Sequence, residues 1–490
     1  MRGPTAGAVS AIVVATCAIS VGAFPVVPDD EEPSLVRTAR NRATLRKTTF
    51  PHALIFARRR AARVPGCAYC EYRTHRISRS TWPSWTTTTR ERRGGPLRPT
   101  LVHLTGVHGV EGYAGSAVQL ALLRGWTDDD GQRRRHFTIT RPRGVRVVLV
   151  HAINPYGYHC GRRFNENNVD LNRNVLTPTE FHELIFESSD SNERRRVLYN
   201  NHEWMFNWRH KYQPIIDDIR FVMYAIYGIA ILGLTHVKRA IVSGQYHQTD
   251  GLFYGGGDDE ERGMMAKSHQ LLIPLLQRVA SPASVGIIID LHTGLGPSGV
   301  DTLIPEFGID NNNNSSRRSQ WEALHAIFGG SVGGSVVKEE EARENNVHHI
   351  YGTDFLISAA TPAEDTLGAT SGYEYARGTT GRYVERFNWN RSLFLTQEFG
   401  TYPSPIVLRG MVIERAEWLF AASLMTKNDS NDTTGCNGTT ARGARAVTNV
   451  FYIKTPWWKR KVVQRGLRVI EQALHALVDN DGKKVPLTNH

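Results

Sequence analysis

The chain has 490 residues, 40% of them hydrophobic and 22% charged, which excludes a disordered or fibrous protein and leaves room for one large domain or two ordinary ones. Its net charge of +12 would suit a nucleic-acid partner, but residues 1–100 hold 17 Lys and Arg against 6 Asp and Glu, while residues 101–490 hold 42 against 41. The basic excess belongs to an N-terminal segment, so no nucleic-acid partner is expected for the bulk of the chain.

Residues 1–24 carry one Arg and then small apolar residues over 6–24, the pattern of a secretory signal peptide. An uncleaved signal anchor is the alternative, and membrane contact is expected only in that case. Asp29, Asp30, Glu31 and Glu32 follow at once and argue against a mitochondrial presequence. Residues 25–97, with ARRRAAR and TTTTRERRGG, read as a basic, poorly ordered arm. Cys67 and Cys70 in CAYC have no second CxxC to complete a zinc ribbon.

The pattern changes near residue 98. PTLVHLTG (99–106) predicts a strand, and GYAGSAVQLALLRG (112–125) predicts a helix from its apolar spacing of three and four. RVVLVHAIN (146–154) predicts a second strand, apolar enough to be buried on both faces. Helices are expected over 179–213, 220–243 and 263–280, and a third strand in SVGIIIDLHTG (284–294). A helix over 319–329, a fourth strand RSLFLTQEFG (391–400), and helices over 408–425 and 464–479 complete the series. The run 220–235 is apolar but shorter than the ~20 residues a membrane span needs, so it reads as a buried helix. Buried strands alternating with helices give an α/β fold: one large catalytic domain over 98–425, with a mixed, mostly parallel sheet and helices on both faces. A sequon-rich loop and C-terminal helix are expected over 426–490. Six N-x-S/T triplets, at Asn313, Asn314, Asn390, Asn428, Asn431 and Asn437, agree with a secreted or lumenal glycoprotein. Cys160 and Cys436 either pair or remain free thiols.

In four places an apolar strand ends directly in polar groups, and in an open α/β sheet such ends gather at one edge. HGVE offers His108 and Glu111, and IIIDLHTGLG offers His292 with Asp290 two residues before it. Two imidazoles and one carboxylate with an open fourth position is the donor set of catalytic zinc, and Asp290 is a candidate to orient an imidazole from behind. NPYGYHCGRRFNENNVDLNRN supplies Arg162, Arg163, Asn172 and Arg173, whose guanidinium forks suit a carboxylate or an oxyanion. LFLTQEFGTY ends in Glu398, placed to serve as a general base toward water at the metal. Gln245, Tyr246 and His247, in GQYHQTDGLFYGGG, either line a pocket or form a structural loop.

The order HxxE, NP-x-G, DLNRN, strand-borne His and strand-borne Glu resembles the M14 zinc carboxypeptidases, and DLNR, DLHT and E-x-G resemble their aspartoacylase/succinylglutamate desuccinylase branch. The fuller strings GVHGVEGYAGSAVQ, NNVDLNRN, GQYHQTDGLFYGG, DLHTGLGPSG and EFGTY, over about 98–425, are similar to the DUF2817 family. The resemblance implies a zinc carboxypeptidase-like fold and one Zn2+ held by His108, Glu111 and His292. It implies Glu398 as the catalytic glutamate, Asn172 and Arg173 as the holders of the substrate's terminal carboxylate, and Arg163 or Arg162 as the arginine that polarises the scissile carbonyl. That arginine lies closer to DLNRN than in the carboxypeptidases, which leaves the choice between the two open. Tyr373 and Tyr375 fall in the interval where carboxypeptidases carry a substrate-covering phenol, without a clear match. The activity implied is hydrolysis of an amide next to a free carboxylate, by a metallocarboxypeptidase acting on a small peptide. An N-acyl amino acid deacylase and a binding protein that has lost turnover are the alternatives.

Overall fold

The computed structural model describes residues 99–124, 145–186, 199–228, 243–257, 265–280, 285–305, 376–384, 391–424 and 438–477, with short pieces at 71–72, 87–88, 126–127, 133–134, 197, 230, 323–324, 326–328, 349–350, 386–387 and 436. Outside the described residues lie the segment 1–24, Cys67 and Cys70, all six sequon asparagines, Tyr373 and Tyr375, and all of the arm 25–97 but two pairs of residues.

Six strands form the central sheet: β1 (Thr100–Thr105), β2 (Arg146–Val150), β3 (Val285–Ser298), β4 (Asp301–Pro305), β5 (His349–Ile350) and β6 (Arg391–Gly400), in the order β2-β1-β3-β6-β4-β5. The β2-β1, β1-β3 and β3-β6 pairings are parallel, β6-β4 is antiparallel and β4-β5 is parallel. The expected mixed, mostly parallel α/β sheet is therefore present. The four strands predicted from apolar runs are β1, β2, β3 and β6, the contiguous parallel set. β4 escapes that reading because it is five residues long and turns straight back from β3.

Ten helices are named here: α1 (Gly112–Arg124), α2 (Pro155–Cys160), α3 (Pro178–Phe186), α4 (Glu203–Phe206), α5 (Ile216–Tyr227), α6 (Lys267–Val279), α7 (Thr380–Val384), α8 (Ser404–Leu424), α9 (Ala441–Phe451) and α10 (Pro456–Leu477). Alternation along each strand divides the core. Leu101, Ile287, Ile289, Leu393 and Leu395 face α1 and α10, whereas Val102, Leu104, Ile288 and Phe394 face α6. The C-terminal helix thus completes one face of the sheet, with Trp458, Val462 and Ile470 buried against it. α8 and α9 form a third packed unit with Phe164, Trp208 and Phe253.

Of the apolar run 220–235, residues 229 and 231–235 lie outside the described residues, and the described part differs from the expectation of burial. Over α5 the inward groups are Asp217 and Phe221, while Ile216, Ile219, Met223 and Tyr227 are exposed. The reason is electrostatic. Asp217 accepts from Gln213 and Arg220, and Asp218 accepts from Tyr212 and Arg409, so the acidic side of the helix is turned toward its partners. No helix among the described residues is long and apolar enough to cross a membrane.

Candidate metal centre

The HGVE turn is possible because the chain there carries almost no side-chain bulk. Gly106 has φ +73°, and a Cβ on it would lie 2.9 Å from the Ala152 Cα. A Cβ on Gly109 would run into the Gly157 backbone, because the turn packs directly on α2. The short 3-10 turn Gly109–Glu111 follows His108 at once and brings Glu111 back over it. Its backbone is tied to the arginine segment: Gly109 N donates to Arg163 O at 3.2 Å and Val110 N to Arg162 O at 3.0 Å.

The next elements are punctuated as their residues demand. Asn154 caps α2 by accepting from Gly157 N at 2.8 Å, Pro155 occupies its first turn, and Gly161 ends it with φ 69°. Asp170 accepts from Asn172 N at 3.0 Å and so starts the turn that presents Asn172 and Arg173.

These elements bring His108, Glu111 and His292 together, all buried, with one ligand-type atom from each within 4.8 Å of the others. His108 Nδ1 is 2.8 Å from Glu111 Oε1, His292 Nδ1 is 3.1 Å from Glu111 Oε2, and the two Nδ1 atoms are 3.3 Å apart. The far side of each imidazole meets its own carboxylate: Asp170 Oδ1 lies 3.0 Å from His108 Nε2, and Asp290 Oδ2 lies 3.1 Å from His292 Nε2. A carboxylate behind a ring fixes its tautomer and turns the other nitrogen inward. Glu111 also accepts from Thr293 N at 3.0 Å and from Arg163 Nη1 at 2.7 Å.

Glu398 pairs with His292 in the β3-β6 register, so both side chains leave the same face on adjacent strands. Its Oε1 accepts from Leu295 N at 2.9 Å. Burial, and then the Glu111 charge, push its carboxyl up to about 7, against the pull of His292, Leu295 N and Arg163. Burial pushes Glu111 the same way, but His108, His292 and Arg163 outweigh it and hold that carboxyl well below the usual range. Asp170 is held low against burial by Arg163, His108 and Arg173. Burial would lower His292, yet Asp290 and Glu111 raise it well above an ordinary histidine.

Four buried carboxylates thus surround two imidazoles whose inward nitrogens face each other, with Arg163 as the guanidinium that touches the cluster. Unpaired buried charge of one sign is costly, and a divalent cation between the two Nδ1 atoms and Glu111 would offset it. The donor set of two neutral nitrogens and one carboxylate suits such an ion.

The two neighbouring arginines go different ways. Arg163 reaches Glu111 and, at 3.5 Å, Asp170 Oδ2. Arg162 is turned away and fully buried. It binds Glu414, donates to Asn168 Oδ1 at 3.3 Å, and stacks 4.4 Å from the Trp418 ring. Asn172 is half-buried and Arg173 is buried beside it, with Nη1 2.6 Å from Asn172 O. The GQYHQTDG stretch serves as a brace: Tyr246 Oη donates to Arg173 O at 2.7 Å, and Gly244, at φ +74°, clears the Arg173 side chain. Gln245 turns back on its own loop, where its Oε1 accepts from His247 N and Gln248 N.

Two further residues contribute to the centre. Asp170, the first residue of DLNRN, carries the signal of an acid directly before the turn that presents Asn172 and Arg173. Phe451 carries no signal: its carbonyl accepts from Thr293 Oγ1 at 2.7 Å and its ring lies 5.4 Å from the Arg163 guanidinium.

Residues 92–336, half of the chain, match the family model described as "Protein of unknown function (DUF2817)". The matched residues include His108, Glu111, Arg163, Arg173 and His292 but not Glu398. No curated protein matches. Among solved structures, the chain is similar to thrombin activatable fibrinolysis inhibitor (9% identity, 89% of this chain and 80% of that one, TM-score 0.35). It is also similar to carboxypeptidase A from Helicoverpa armigera (10% identity, 84% and 80%, TM-score 0.35). A candidate metallopeptidase from Shewanella amazonensis has 13% identity over 76% and 91%, with a TM-score of 0.31.

Proposed function

The chain belongs to the DUF2817 family, and we propose that it is a zinc-dependent metallohydrolase that cleaves an amide bond next to a free carboxylate, most simply a metallocarboxypeptidase. The observation that carries the reading is the convergence of His108 Nδ1, Glu111 and His292 Nδ1 beside a buried, protonatable Glu398. Zn2+ held by those three residues would supply a Lewis acid that polarises a carbonyl and acidifies water.

The remaining steps belong to the protein's own groups. Glu398, ionised, accepts a proton from the attacking water and returns it to the leaving amine. Arg163, which reaches Glu111 beside the other donors, is the arginine we assign to the oxyanion that develops on the scissile carbonyl. Its neighbour Arg162 is turned away from the cluster toward Glu414 and Asn168, and we assign it no part in the reaction. Arg173 and Asn172 clamp the substrate carboxylate and so fix the reacting bond. No covalent intermediate on the protein is needed.

A second reading keeps the site and changes the substrate to an N-acyl amino acid, and the DLNR and DLHT strings favour it. Peptides with free and blocked C-termini, assayed beside N-acetyl and N-succinyl amino acids, separate the two. Hydrolysis of free-terminus peptides alone supports the carboxypeptidase. Turnover of acyl amino acids alone supports the deacylase, and no turnover of either class removes both. A secreted or lumenal location is part of the proposal, supported by the apolar leader and the Cys160–Cys436 disulfide, a bond characteristic of oxidising compartments.

A further inference from the structure

We infer that the Cys160–Cys436 bridge, with the helix it leads into, is a positioning device for Arg163, and that opening it loosens the arginine segment while the sheet stays intact. The bridge joins residues 276 apart in sequence. Its first half closes α2, and Arg163 follows three residues later. The segment 161–165 has no regular structure, so its place depends on what holds it from outside.

Three clamps act on that segment. On one side Arg162 binds Glu414 and stacks on Trp418, both on α8. On the metal side, Arg163 O and Arg162 O accept from Gly109 N and Val110 N. The third is the bridge. From Cys436 the chain runs to Thr440, which accepts from Gly443 N at 3.0 Å and donates to Glu417 Oε2 at 2.9 Å, and so starts α9. A Cβ on Gly161 would lie 3.2 Å from the Ala444 Cβ, so the turn before the arginines rests on α9 itself. α9 then ends in Phe451, with its ring beside Arg163 and its carbonyl on Thr293, the neighbour of His292. One covalent bond therefore couples the arginine loop to the helix that packs against both Arg163 and β3 at Thr293. α8, α9 and Cys436 all lie outside the family-matched residues 92–336, so this support is contributed by the C-terminal part of the chain.

Cys160 is buried and Cys436 is half-buried. A water-soluble phosphine takes up one oxygen from water and becomes its oxide, and the two sulfurs leave as thiols carrying the two protons.

The test is amide hydrogen exchange on the full-length protein, oxidised and phosphine-treated, with thiols counted to show that the bridge has opened. At least ten-fold faster exchange is expected at Gly109, Val110 and residues 161–165, with β1 and β3 unchanged, and reoxidation should restore protection. The double variant Cys160→Ala/Cys436→Ala should match the reduced protein and ignore the phosphine. Unchanged exchange at those amides after proven reduction would overturn the inference. Loss of protection throughout the sheet would also overturn it, by making the bridge a global staple. The functional consequence rests on the role proposed for Arg163: kcat should fall about ten-fold with metal content and KM held. A protein inactive in both redox states, yet showing the local exchange change, would sink the proposed activity and keep the positioning device.

Discussion

Glu398 sits at the one position in the cluster where burial and a neighbouring negative charge keep a carboxyl protonatable near neutrality, at about 7. A general base must be ionised, so activity should rise with pH through its pKa. Bound Zn2+ favours the ionised form, so the acid limb of kcat/KM should lie between the ordinary 4.5 and about 7. A profile flat across that interval would remove Glu398 from the rate-determining proton transfer. Glu398→Gln should keep the metal and lose about 10²–10⁴-fold in kcat. Asp170 acts through His108: Asp170→Asn should weaken metal binding by about 10–100-fold in a chelator competition, since the ring loses the group that orients it. The candidate metal donors are legible in the sequence because each follows or interrupts an apolar strand with a ligand-type residue. Which of Arg162 and Arg163 faces the cluster was not legible, because adjacent residues in an irregular segment differ only in direction, and that direction is set by Glu414, some 250 residues downstream.

Among the elements, β1, β3 and β6 can be read from composition because burial on both faces demands near-continuous apolar residues; β2 is as apolar but lies at the end of the strand order with Val147 and Leu149 only half-buried, contrary to its expected burial on both faces. The antiparallel β4, the apolar exposure of α5 and the role of α9 cannot be read so, since each depends on distant partners. The two arginines give a test at this scale. Arg162→Met leaves Glu414 buried without its partner and should cost about 3–5 kcal/mol of stability, visible as a lowered denaturant midpoint. Arg163→Met should instead lower kcat, with a smaller stability change because Glu111 keeps the Thr293 amide and the metal. Equal effects on both quantities in both variants would contradict the division of labour.

Among the described residues, burial lowers three histidines outside the centre, and one of them, His151, falls to about 4. Burial lowers His103 to about 4, despite Asp290, and His269 to about 3, despite Asp170. For a base whose folded pKa lies below its unfolded 6.5, the unfolded chain takes up the extra proton. Stability is therefore lost as pH falls from about 6.5 toward 3–4, at about 1.4 kcal/mol per pH unit for each histidine. Urea titrations between pH 7 and 4.5 should show this decline, and His269→Leu should remove one histidine's share of the slope. An unchanged slope in that variant would mean that His269 charges within the folded protein.

The proposed activity depends on one ion held by side chains from two segments, the turn carrying His108 and Glu111 and the strand β3 carrying His292. Elemental analysis of the purified full-length protein, set beside His108→Ala and His292→Ala, tests that directly. One zinc per chain is expected in the parent and none in either variant, with folding retained. A parent free of divalent metal after zinc loading, or variants that hold zinc as tightly as the parent, would contradict it.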